Sequence, residues 1–429
     1  MSSLKPTRLV WAALAASLAL AGCAAGDEPA ADTPSPTVEE TDDVDAVEGA
    51  TEQAANVPRV AYTYDGGIVV LDANSLEQVA DIPLAGFNRL NPAGDGRHVL
   101  VSTTGGFQLL DLGTYGTPHG DHDHYYTADP VLTDLKFPAE KPGHVVRHDD
   151  ATVMFDDGTG KVTVVESDEI GDPDAEQRLY TTPTPHHGVA VQLHDGTLLV
   201  TEGTSEARSG VRVLDASDKE IAASDECPGV HGEAMAADDA ALFGCEDGVL
   251  LYVDGQFTKL AAPTPYGRIG NQSALDSSPV VLGDYKSDPD AELERPTRVS
   301  LTDTAAATLT LVDLPASYSF RSLARAADGA ALVLGTDGQL HVIDVTTAQL
   351  AASYPVVQAW TEPDEWQQPR PTITMLDGMA YITDPAAKKL HVVYPATGEI
   401  WKTADLTQTP NEITGVMGDG GGGEHDHED

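Results

Sequence analysis

Three histidines recur in one setting along this chain. His144, His187 and His231 each open an apolar stretch, and each is followed within ten residues by an acidic turn. They stand 43 and 44 residues apart (187 − 144 and 231 − 187). Imidazole is the commonest protein ligand for a borderline cation such as zinc, and three of them leave one coordination position open. Glu233 lies two residues beyond His231, on the same face of an extended strand, and is a candidate oxygen ligand or supporting partner. His186 is adjacent to His187 but points to the opposite face, and His148 lies four residues beyond His144. Both are secondary candidates.

Two other segments carry the same chemistry. His119-Gly120-Asp121-His122-Asp123-His124 packs three imidazoles and two carboxylates into six residues. His122 and His124 alternate, so a strand would turn them to one side. The segment reads as a metal-capture loop, or as an arm that supplies a fourth ligand. Near the end, after a glycine run, stands His425-Asp426-His427. Two histidines on a flexible arm suit weak, fast-exchanging capture, and His119 is placed with them. No Gly-x-Ser-x-Gly elbow, His-Glu-x-x-His helix or phosphate-cradling loop is present. Nothing selects a catalytic pair among the many carboxylates.

The elements that must position these residues read as strands. Ala331 to Leu334 followed by Leu340 to Ile343, and Met379 to Thr383 followed by Leu390 to Val393, repeat apolar strands separated by turns. A period near 44 residues with four short strands per unit marks a β-propeller. Units fall near 86–130, 143–182, 186–226, 230–262, 268–315, 319–358 and 371–405. Residues 58–85 supply three further strands, and 411–417 can supply their missing inner one. The expectation is an all-β chain, a single propeller of eight blades with seven as the alternative, closed by pairing its N- and C-terminal strands. Inner strands of successive blades would bring the three spaced histidines to one axial point.

The chain of 429 residues carries a net charge of −45, which argues against a nucleic-acid partner, because phosphate binding needs Lys and Arg. Residues 1–23 read as a lipoprotein signal peptide. Lys5 and Arg8 precede a short apolar core, and Leu20-Ala21-Gly22-Cys23 resembles a lipobox that would lipidate Cys23. Residues 24–57 read as a disordered acidic, Pro- and Ala-rich linker, 58–417 as the propeller, and 418–429 as a flexible tail. The expected location is extracytoplasmic, on the cell surface, with the membrane touched only through the lipid anchor. Two cysteines remain, Cys227 and Cys245. In an oxidising compartment they read as one disulfide flanking His231. Buried free thiols or a Cys₂His zinc site are the alternatives.

Several runs together resemble a known family. They are Gly143 to Asp149 (GHVVRHD), Phe155 to Gly160 (FDDGTG), His186 to Val191 (HHGVAV) and Cys227 to Glu233 (CPGVHGE). Phe243 to Gly248, Ser278 to Tyr285, Phe320 to Ala324 and Trp366 to Pro371 extend the match. The chain resembles the AztD-type zinc metallochaperones, extracytoplasmic β-propellers that accompany a zinc-specific ABC importer, over about residues 58–417. The resemblance implies a non-enzymatic zinc carrier that hands its metal to the importer's solute-binding protein. It also implies a zinc site in the propeller channel and a second, flexible His-rich site. This chain departs in carrying a lipobox and in having a His motif at its C-terminus. A metal-dependent propeller hydrolase or lactonase, and a metal-free protein-interaction propeller, are the alternative functions.

Overall fold

The computed structural model describes Val47 and residues 49–120 and 122–419. Cys23, the signal peptide, His425 and His427 lie outside the described residues. The described chain is all-β apart from one short 3-10 turn, Ser167–Glu169. Antiparallel four-strand paths repeat along it, at 142–181, 190–224, 233–261, 272–313, 318–355 and 373–405. Another contains residues 89–111 together with Val131–Pro138. In the eighth, Ile413–Val416 pairs antiparallel with Arg59–Tyr64, with Arg59 opposite Val416.

Burial explains why the middle strands are continuous apolar runs. Ala240–Cys245 is buried at every position, as is Ala331–Gly335, because neighbouring sheets cover both faces. The last strand of a sheet alternates instead: Gln78–Pro83 and Ile400–Asp405 expose every second residue or more. Phe155 and Val164 pack against Val200 and Leu214 of the next sheet. Val191 and Val213 of that sheet pack against Phe243 and Leu250 of the one after. Similar apolar seams join each sheet to the next in sequence. An eighth seam sets Leu390 and Val392 against Val60 and Val69.

Two features differ from the sequence reading. Thr51–Gln53, placed there in the linker, is a strand paired with His122–Thr127, Thr51 opposite Thr127, so ordered structure begins before residue 58. Thr114–His119 and His122–Thr127 form a hairpin that joins Thr51–Gln53 in a separate three-stranded sheet. The hairpin interrupts the first unit, whose outer strand, Val131–Pro138, therefore lies beyond the expected limit at 130.

Candidate metal centre

The three spaced histidines reach one point by slightly different routes. His144 is the third residue of the strand Pro142–His148, at an irregularity where the register shifts between Pro142 and Val145. His187 and His231 precede their strands, Ala190–Gln192 and Glu233–Ala236. Each of those two is followed by a glycine with no room for a side chain. A Cβ on Gly188 would meet the Phe155 ring at 2.4 Å, and one on Gly232, at φ +72°, would meet the Gly270 carbonyl at 2.6 Å. The His-Gly pairs are thus a packing requirement that lets the imidazoles converge. The Cys227–Cys245 disulfide ties the loop before His231 to the adjacent strand, and His231 N–H donates to the Gly244 carbonyl at 2.9 Å.

Ligand nitrogens of His144, His187 and His231 all lie within 4.8 Å of one another. The ring of His144 is 5.1 Å from that of His187 and 5.4 Å from that of His231. Hydrogen bonding assigns the tautomers. Nδ1–H of His187 donates to Asp157 Oδ2 at 2.6 Å, and Nδ1–H of His231 donates to the Gly270 carbonyl at 2.7 Å. Both acceptors lack a proton to give, so in the neutral rings both Nε2 atoms are bare. They face each other at 3.1 Å. Two opposed lone pairs repel. A cation between them converts the repulsion into coordination, and two nitrogens about 2.05 Å from a tetrahedral zinc stand about 3.3 Å apart. Asp157 and the Gly270 carbonyl are the outer partners that metal-bound imidazoles need. Gly270 is itself held, because its N–H and that of Asn271 donate to the buried Asp284 carboxylate at 2.6 and 3.1 Å.

Burial shifts the titration of the groups at this centre towards their neutral forms. Loss of hydration, with His231 and His187 adding repulsion, holds His144 well below the usual imidazole range. Loss of hydration likewise lowers His231, to about 3, against the opposing effect of its Gly270 bond. Desolvation pushes the Glu233 carboxyl up to about 7. The centre opens to solvent on the side of His187, whose side chain is 44% exposed.

The other sequence candidates go elsewhere. Glu233 is not among the residues whose ligand atoms converge on the three histidines. His186 is 2% exposed, with Nδ1 on the Thr184 carbonyl and Nε2 on Thr201, so its ring nitrogens are already satisfied, and it takes no part. His148 is grouped with Asp149 and Asp239 instead. His119, His122 and His124 do converge, within 4.8 Å, but as a separate cluster on the paired hairpin rather than on a loop. His124 Nδ1 is 2.7 Å from Glu52, a residue the sequence reading left in the linker. Sequence reasoning also missed Asp157 as a partner. Its signal was the Asp-Asp-Gly turn of the Phe155–Gly160 run, which carries the acceptor for His187.

Fold and centre together define an all-β, propeller-like protein with three converging imidazoles and an open side. No protein-family model matches the chain. The chain is similar to the zinc chaperone AztD of Citrobacter koseri, with 27% identity over 376 residues, 84% of this chain and 86% of that protein. The crystal structure of Citrobacter koseri AztD superposes with a TM-score of 0.71 at 23% identity, covering 84% of this chain and 98% of that one. The dihydro-heme d1 dehydrogenase NirN, in complex with DHE, shares the fold more distantly, at a TM-score of 0.57 and 13% identity, covering 87% of this chain and 77% of its own. The resemblance to AztD-type proteins read from the sequence is borne out.

Proposed function

We propose that this protein is an extracytoplasmic zinc chaperone that holds zinc on His144, His187 and His231 and delivers it to the solute-binding protein of a zinc ABC importer. The observation that carries the reading is the convergence of three imidazoles, with the Nε2 atoms of His187 and His231 3.1 Å apart and each of those two rings fixed by an outer acceptor. The likeness to a protein named a zinc chaperone supports it. In this reading the eight sheets are the blades of one propeller, which the eight apolar seams and the Ile413–Val416 pairing support. The chain is anchored outside the cytoplasm through lipid on Cys23, and meets the membrane only there. Zinc is cargo. The open side at His187 lets an incoming ligand of the recipient bind before the resident ones release, so the metal passes without becoming free.

The test is transfer. The chain loaded with one zinc is mixed with the importer's solute-binding protein and followed by stopped flow. Transfer faster than spontaneous zinc release supports the reading, and transfer no faster than release contradicts it.

A further inference from the structure

The same three inner strands carry a second group of metal-type ligands at their far ends. His148 closes the strand Pro142–His148, four residues beyond His144, or about 13 Å along an extended chain. The turn after it supplies Asp149, the turn after Ala190–Gln192 supplies His194, and the turn after Glu233–Ala236 supplies Asp238 and Asp239. His148 Nε2 lies 2.9 Å from Asp239 Oδ1 and 3.5 Å from Asp149 Oδ2. His194 Nδ1 lies 3.8 Å from the same Asp149 oxygen. These residues and Asp276 line a cavity of about 340 Å³, ample for a cation with bound water.

His148 is not a satisfied core histidine. It is 7% exposed, and among the described residues its Nδ1 has no hydrogen-bond partner, while its Nε2 faces the carboxylates. Four aspartates around one cavity repel one another, and a divalent cation relieves that repulsion.

We infer that this cavity is a second divalent-cation site, distinct from the three-histidine centre, in which His148 Nε2 and the carboxylates of Asp149 and Asp239 are ligands and His194 is the fourth. One or two imidazoles with two carboxylates form a mixed nitrogen–oxygen set that takes first-row divalent cations, zinc more tightly than manganese. The site is weaker than the three-histidine centre for two reasons. When Nε2 bears a metal, the proton sits on Nδ1, and His148 offers that proton no acceptor, whereas His187 and His231 have Asp157 and Gly270. The side chains of Asp149 and Asp239 are also 40% and 45% exposed, so water competes for them. The two sites lie at opposite ends of shared strands, which makes this one an accessory zinc station rather than part of the delivery centre.

The experiment is an anomalous difference map at the zinc edge from crystals of the full chain soaked in zinc, with a zinc titration of Asp149→Asn/Asp239→Asn in solution. Both aspartates have left-handed backbone, at φ 45° and 55°, which Asn tolerates as well as Asp, so the turns are kept. The expected map shows a peak between His148 Nε2 and the two carboxylates, with occupancy that rises with zinc concentration. Measured in a His122→Ala/His124→Ala background that removes the hairpin cluster, the double variant should weaken the remaining weaker binding event by at least about tenfold and keep the tighter one. A zinc peak at His144, His187 and His231 with none here would overturn this inference and leave the proposed function standing. A peak here with none at those three histidines would do the reverse. The map needs no variant, so a double variant that failed to fold would not protect the inference.

Discussion

The cluster of His144, His187 and His231 and the cluster of His119, His122 and His124 present the same three imidazoles in opposite surroundings. In the first, two rings are fixed by Asp157 and the Gly270 carbonyl, and desolvation keeps His144 and His231 neutral. In the second, His119 and His122 are exposed, and the partner of His124 is Glu52, 59% exposed, on a three-residue strand. Under the proposed function the first cluster stores zinc and the second captures it. Affinity comes from ligands held in place before the metal arrives. Speed comes from ligands that solvent and a partner can reach.

The largest effect should follow loss of a ligand. His231→Ala is expected to weaken zinc binding by more than about 100-fold, beyond the loss that removal of an outer partner gives. Competition with a chromophoric chelator measures it. The matching change in the hairpin, His122→Ala with His124→Ala, should leave the tight affinity unchanged and slow zinc loading or delivery in stopped flow. An unchanged rate would reduce the hairpin cluster to a solvated surface.

Next in size is removal of an outer partner. Asp157→Ala should cost about 10- to 100-fold in affinity, because the His187 ring loses its fixed tautomer. Glu52→Gln should change the hairpin's affinity far less, since solvent already weakens that pair. Equal losses at the two sites would erase the distinction drawn between them.

The sequence made much of this readable. The 43- and 44-residue spacing gave the convergence of His144, His187 and His231, and alternation in the second segment brought His122 and His124 together (187 − 144 and 231 − 187). Cysteine parity gave the Cys227–Cys245 bond. The partners were not legible. Asp157 is 30 residues from His187, and Glu52 is 72 residues from His124. No periodicity links such pairs, because each joins a turn of one sheet to a different element. His148 was misplaced for a related reason. It shares a strand with His144, but four residues of extended chain separate the two ends.

Acid offers a smaller, graded test. An ordinary imidazole takes up a proton near pH 6.5, and zinc must then displace it. His144 and His231 are held below that value, so between pH 7 and pH 5 affinity at the tight site should fall less steeply than for three ordinary imidazoles. Stability also falls in acid, but here the lowered values are the cause of the loss rather than a protection against it. The unfolded chain binds protons at these positions that the folded chain refuses, so the zinc-free fold should lose stability as pH falls from about 6.5 towards 3. Thermal melts of the metal-free protein across that range, compared with His231→Gln, would reveal it.

The most direct measurement of the central claim is zinc affinity in the chain with His144, His187 and His231 all changed to Ala, its fold verified by circular dichroism. The tight binding event should vanish, leaving only weaker binding at the remaining clusters. A folded triple variant that still holds zinc with the affinity of the unaltered protein would contradict the account, whatever the other sites do.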